Sequence, residues 1–356
     1  MASMADRLAC MSRVFREPVR RVIDHEPGVL YSREERVVIV LALLVAIPGL
    51  LLAWLWVHSQ RGWREAERAC PPLGAFVEVR GCRLHYVEAG EGSPVVLVHG
   101  ASGNLRDMTL ALAERLAKSH RVLAFDRPGY GYSTRPPGPW PDPSVQASYL
   151  RDALAALRVE RPVLVGHSWA GSLVLAYALA WPGELRGVVA VSPASHAWPG
   201  GVVAYRVAAQ LPLLGSLLAH TVLWPLGQRM ADAALRSTFD PDPLPDGYRR
   251  ACGIDLLFRP VQFRADGEDV GKLSRFLEIQ SARYAELATP LTILTGTRDA
   301  VVSPRRHAHT LHAQVSGSRL VVVEGAGHAL HHAHPDRVVA EIAALSAAQG
   351  ELRLRT

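Results

Sequence analysis

"PVLVGHSWAGSLVLAYALA", residues 162–180, places Ser168 between two apolar runs of different character. The first is short, opens on Pro162 and is rich in valine, as suits a strand buried on both faces, whereas the second is long enough for three helical turns. A serine at that junction sits where the chain has to turn sharply. Gly166, Ala170 and Gly171 remove bulk that such a turn would force together. Two readings follow: a nucleophile on a strand-to-helix elbow, in a G-x-S-x-G pattern whose last glycine is replaced by Ala170, or a serine that caps a helix.

The same rhythm extends on both sides. "AFVEV" and "RLHYVEA", separated by "RGC", predict a hairpin, and the folded domain is expected to begin near Ala75. Near-continuous apolar runs at 94–100, 121–126, 187–193, 291–296 and 319–325 predict further buried strands. Helical patterns such as "NLRDMTLALAERLAKS" and "SVQASYLRDALAALRV" lie between them, so a mostly parallel sheet with helices on both faces is expected. Residues 195–289 break the rhythm. They offer helical stretches ("VAYRVAAQLPLLGSLLAHTVLW", "ADAALRSTF") but no convincing strand, and are too long for a connection, which predicts a helical insertion. The expected core is 75–194 and 290–350.

A serine hydroxyl needs a base, a group to orient that base, and donors for the oxyanion it generates. "VVVEGAGHALHHAH" sets His328 in a glycine-rich loop after the last strand, while His331, His332 and His334 read as the start of the C-terminal helix. A histidine-rich metal site is the rival reading, but the cluster has no distributed carboxylate partners in the sequence, so neither a metal nor an organic cofactor is expected. Asp299 in "GTRDAVVSP" follows the preceding strand and would orient His328. The backbone amides of Trp169 and of Ala101, in "HGASGN", are the candidate oxyanion donors, with Gly100 letting the loop turn toward Ser168. Asn104 and His167 are further candidates for lining the pocket or shaping its loops.

The ordered motifs "HGASG", "DRPGYGYS" (126–133), "GHSWAG", "GTRDAVVSP" and "GAGH" resemble the α/β-hydrolase superfamily, in its branch with a helical cap, over roughly residues 75–347. The resemblance implies an α/β-hydrolase fold with an eight-stranded sheet, the triad Ser168, Asp299 and His328 at the strand C-terminal ends, and residues 195–289 as a cap after the sixth strand. It implies a serine hydrolase acting on a small-molecule ester. Carbon–carbon, amide, thioester or lactone cleavage, perhydrolysis, and a silent binding scaffold stay open as alternatives. Branches resembling epoxide hydrolases and haloalkane dehalogenases carry an aspartate at the elbow, where this chain has Ser168.

Ahead of the expected core, "VVIVLALLVAIPGLLLAWLWV" (37–57) runs without a charge for long enough to cross a bilayer, with Trp54 and Trp56 at one end. A buried core helix is the alternative. A cleaved signal is disfavoured by the 36 residues that precede the run. Residues 1–36 read as a tail and 58–74 as a linker. Seven arginines precede the span (Arg7, Arg13, Arg16, Arg20, Arg21, Arg33, Arg36) and three follow closely (Arg61, Arg64, Arg68), which favours a single-pass protein whose catalytic domain faces the periplasm or exterior. The net charge of +6 comes from scattered arginines, so nucleic acid is not an expected partner; a lipid bilayer and an apolar ester are. The four cysteines form no C-x-x-C pair, and Cys70 and Cys82 are expected as thiols unless export lets them bridge.

Overall fold

Alternate residues of a strand point to opposite faces, and the buried strands here use both. Val96, Val98, Leu123 and Leu164 join one apolar cluster, with Leu150 and Leu173 from helices Pro143–Ala156 and Trp169–Ala180. Val95, Leu97, Val122 and Val165 join a second, with Leu112 from the helical segment Thr109–Ala113 and Val338 and Ile342 from the helix Pro335–Arg353. Each strand thus needs apolar side chains at successive positions, which is why the sequence runs are continuous.

In a computed structural model that describes residues 33–199 and 211–353, these strands form one eight-stranded sheet. They are β1 (Ala75–Val79), β2 (Cys82–Ala89), β3 (Ser93–Val98), β4 (His120–Phe125), β5 (Val163–His167), β6 (Gly187–Val191), β7 (Leu291–Gly296) and β8 (Arg319–Val323), in the spatial order β1-β2-β4-β3-β5-β6-β7-β8. β1 and β2 pair antiparallel, β2 joins β4 antiparallel, and every other pairing is parallel. β5, which ends at the serine, lies near the middle of the order.

After β6 the described part of the insertion is helical, with helices Pro212–Thr221, Leu223–Phe239 and Pro260–Ser281 and short turns between the last two. The stretch "VAYRVAAQ" lies outside the described residues. Helix Pro260–Ser281 is fastened to the core: Leu273 and Leu277 enter the first apolar cluster, and Gln280 donates to Ser172 O at 2.9 Å.

The N-terminal helix Arg33–Ala69 divides between two units that meet at residues 54 and 55. Its first part exposes Val45, Leu50 and other apolar side chains, and it is the one helix among the described residues long and apolar enough to cross a membrane. The linker expected over 58–74 is corrected in its first two thirds, because the helix runs on to Ala69. The reason is packing. Trp63, Ala66 and Cys70 are buried against Trp224, Leu256 and Phe258 of the insertion, and Ser59 Oγ donates to Thr221 O at 2.9 Å. Cys70, Cys82 and Cys252 are buried thiols; Cys10 lies outside the described residues.

Candidate active site

Ser168 links β5 to the helix Trp169–Ala180 at φ 52° and ψ −115°, a backbone conformation that costs a non-glycine residue of order 1–3 kcal/mol. The surroundings hold it there: Ser168 N donates to Val191 O (2.9 Å), and Ser168 O accepts from Gly171 N (2.9 Å) and Ala194 N (3.0 Å). Its hydroxyl does not cap the helix, which removes the alternative reading of this serine. The elbow closes only because a Cβ is missing at Gly166, where it would overlap the carbonyl oxygen of Ala170. Gly100 brings the loop after β3 equally close, since a Cβ there would lie 3.1 Å from that of Ser168.

Asp299, just beyond β7, accepts from Val301 N (2.9 Å) and Val302 N (2.8 Å) at Oδ1 and faces His328 Nδ1 at 2.8 Å with Oδ2. Both carboxylate oxygens are thereby committed, and the imidazole is held with its Nδ1–H on the acid. His328 sits in the loop after β8, 3% exposed, and its carbonyl oxygen accepts from Ser192 Oγ at 3.0 Å. No hydrogen bond joins Ser168 Oγ to His328 among the described residues. Such bonds are often long before substrate binds.

A cavity of about 380 Å³ opens on this arrangement. Ala101, Ser168 and Trp169 form one wall, Val270 and Leu273 of the insertion another, and Asp299 with Val301 a third. The lining is chiefly apolar, and the size falls at the lower end of small-molecule sites. Neither Ala101 N nor Trp169 N donates to another group among the described residues. Asn104 and His167 are not in the lining. Asn104 caps the segment Leu105–Met108 and donates to Cys252 O (2.8 Å); His167 is buried, with Nε2 3.2 Å from His328 O.

A buried ionic network beneath the cavity has no counterpart in the sequence reading. Arg127 donates to Asp269 Oδ2 (2.7 Å) and to His99 O (3.2 Å) and Gly100 O (3.2 Å), and its guanidinium carbon lies 4.0 Å from the centre of the Trp169 ring. Asp269, fully buried, also accepts from Arg135 (2.8 Å) and Gln146 (3.0 Å), and its backbone carbonyl accepts from Trp169 Nε1 (3.1 Å). One turn away on that helix Asp266 accepts from Ser102 N at 2.6 Å. The insertion's helix Pro260–Ser281 therefore holds both the loop of Ala101 and the helix start at Trp169, which carry the candidate oxyanion amides.

Two histidines in this region, His99 and His307, have their pKa values lowered. Burial first, then the Arg127 guanidinium, pushes His99 from 6.5 down to about 4; His307, in the cavity wall, falls to about 4 through burial and then its neighbours His196 and Arg306. The unfolded chain binds protons at these sites below pH 6.5 while the folded chain does not until about 4. The stability they confer is thus complete above pH 6.5 and lost as pH falls, by about 3 kcal/mol for His99 alone between 6.5 and 4. The urea midpoint is expected to be level from pH 8 to 7 and to drop steadily from 6.5 to 5; a midpoint unchanged down to pH 5 would show that these imidazoles are not buried neutral.

The sequence model of the alpha/beta hydrolase family matches residues 95–341, which take in the elbow, both candidate partners of the serine and the insertion. The chain belongs to the α/β-hydrolase family. The uncharacterized protein Rv2715 of Mycobacterium tuberculosis is 30% identical to this hydrolase over 298 residues, covering 79% of this chain and 83% of that protein. The 2-hydroxymuconate semialdehyde hydrolase of a Pseudomonas species is 32% identical over 137 residues, or 38% of this chain and 48% of that enzyme. Among solved structures, a membrane phospholipase A superposes with a TM-score of 0.61 at 20% identity, covering 88% of this chain and 98% of that one, a likeness of fold.

Proposed function

We propose that this hydrolase is a membrane-anchored serine esterase working through an acyl-enzyme. The observation that carries the reading is the strained backbone of Ser168, in the lining of an apolar cavity that Asp299 also lines. In the first step His328 Nε2 takes the Ser168 Oγ proton as Oγ attacks the ester carbonyl, and the N–H groups of Ala101 and Trp169 receive the oxyanion. His328 then returns the proton to the departing alcohol. Water, deprotonated in turn by His328, attacks the acyl-enzyme, and the acid leaves with Ser168 restored. Asp299 stays ionised and stabilises the imidazolium formed in each half.

A lipophilic substrate is supported by the apolar walls and by the insertion's surface. Leu213 (88% exposed), Leu226 and Met230 are bare on helices that pack on residues 59–70, the continuation of the proposed anchor. We place the catalytic domain on the periplasmic or outer side, from the arginine excess ahead of residue 37. The test is hydrolysis of p-nitrophenyl esters of graded acyl length by the full chain in detergent. The expected kcat/KM rises from acetate to medium-chain acyl groups; a steady fall beyond acetate would overturn the lipophilic assignment. The partial likeness to a semialdehyde hydrolase favours carbon–carbon cleavage as the second reading, and a vinylogous diketone assayed beside the esters separates the two.

A further inference from the structure

Behind His328 lies a second buried cluster that the proposed mechanism does not use. Asp107, from the segment Leu105–Met108, meets His331 and His332 from the short helix Leu330–Ala333, and His167 from the end of β5. Its two carboxylate oxygens have different surroundings. Oδ1 is filled by hydrogen bonds, accepting from Tyr248 Oη at 2.7 Å and facing His332 Nε2 at 2.9 Å. Oδ2 faces His331 Nε2 at 3.1 Å and His167 Nδ1 at 4.0 Å.

His167 fixes the chemistry of the second side. Its Nε2 has a carbonyl oxygen, His328 O, as partner, so Nε2 carries the proton and Nδ1 presents a lone pair. That nitrogen is buried, has no hydrogen-bond partner, and lies 4.0 Å from a carboxylate oxygen. His331 Nδ1 is a second buried nitrogen without a partner, and the rings of His167 and His331 lie 4.2 Å apart. Ligand atoms of Asp107, His167 and His331 all fall within 4.8 Å of one another.

We infer that Asp107 Oδ2, His167 Nδ1 and one ring nitrogen of His331 form a binding site for a divalent transition cation of the zinc type. Two imidazoles and a carboxylate are a donor set that zinc takes, and a cation at their junction turns the opposed lone pair and carboxylate into ligands. With zinc–ligand distances of about 2.0–2.2 Å, ligand atoms sit roughly 3.3 Å apart, so the 3.1 Å separation already fits and the 4.0 Å one closes slightly. Tyr248 and His332 on Oδ1 then serve as the hydrogen-bonding outer shell. The cation would tie three separate segments together and hold the His167 ring, whose Nε2–H supports the His328 loop. Its role is structural, and the inference stands independently of the reaction proposed for Ser168.

The test uses the full chain in detergent, free of any affinity tag and stripped with a chelator, titrated with zinc and, separately, with cobalt as a spectroscopic probe. One equivalent of zinc per chain, a rise in melting temperature on binding, and visible cobalt absorption of a nitrogen–oxygen site are expected. His331→Phe, which fills the ring's space, and Asp107→Asn, which keeps its hydrogen-bonding shape, should each lose affinity beyond the roughly 10–100-fold typical of an outer-shell change, and Tyr248→Phe should fall within that range. Absence of stoichiometric binding by both cations would overturn the inference, as would equal binding by the folded His331→Phe and Asp107→Asn proteins, which would point to surface histidines.

Discussion

Replacement of Ser168 by alanine is expected to lower kcat for p-nitrophenyl ester hydrolysis by roughly 10³-fold or more, with little change in KM. The argument is local. The hydroxyl is held at a strained backbone position, between the loop of Gly100 and the start of the helix Trp169–Ala180, and is not engaged in capping that helix. Alanine removes only the atom proposed to form the acyl bond. In the proposed mechanism the serine, histidine and aspartate act as one unit, so Ser168→Ala combined with His328→Ala should be no slower than Ser168→Ala alone. Multiplying losses would mean that the two residues act separately. Equal rates in wild type and Ser168→Ala would remove the elbow from the chemistry altogether.

Asp269→Ala is expected to destabilise the protein by about 3–5 kcal/mol, a large fraction of the total for a domain of ordinary stability. Asp269 is fully buried and receives Arg127, Arg135 and Gln146, and Arg127 is itself only 2% exposed. Arg135 keeps a second partner in Glu268 at 3.0 Å, but Arg127 has no other carboxylate among the described residues, so deletion leaves a guanidinium charge in the interior. The loss is due to that stranded charge and not to the net worth of the pair, which desolvation largely offsets. Urea unfolding measures it, and Asp269→Asn, which retains an acceptor, should cost less than the alanine change. A shift within about 0.5 kcal/mol would mean that solvent reaches the network. Activity should fall alongside stability, since Arg127 and Asp269 hold the Trp169 ring and the Gly100 loop.

What the sequence makes legible is what local periodicity and short connections encode. The strands from β3 to β7 show as apolar runs because they bury both faces, whereas β8, at the sheet edge, buries only Val321 despite an equally apolar run; Asp299 and His328 stand out because each lies in a short loop directly after a strand. Interactions between distant segments leave no local mark. Arg127 and Asp269 are 142 residues apart, and Asp107 and His331 are 224 apart; each looks like an ordinary loop or surface-helix residue until the fold brings it to its partner. The carboxylate missing from the histidine cluster in the sequence is Asp107, supplied from the opposite end of the core. Residues 58–69 read as a linker because their charges and arginines mask a single buried face, whose partners Trp224 and Phe258 come more than 150 residues later.

The most direct measurement of the central claim is covalent labelling of the folded full chain with a fluorophosphonate, followed by peptide mapping. A single adduct on Ser168, lost on prior denaturation and absent from Ser168→Ala, is the predicted result. Folded protein in which Ser168 stays unmodified at probe concentrations that label other serine esterases would contradict it, and the chain would then be a hydrolase-fold scaffold without an activated serine.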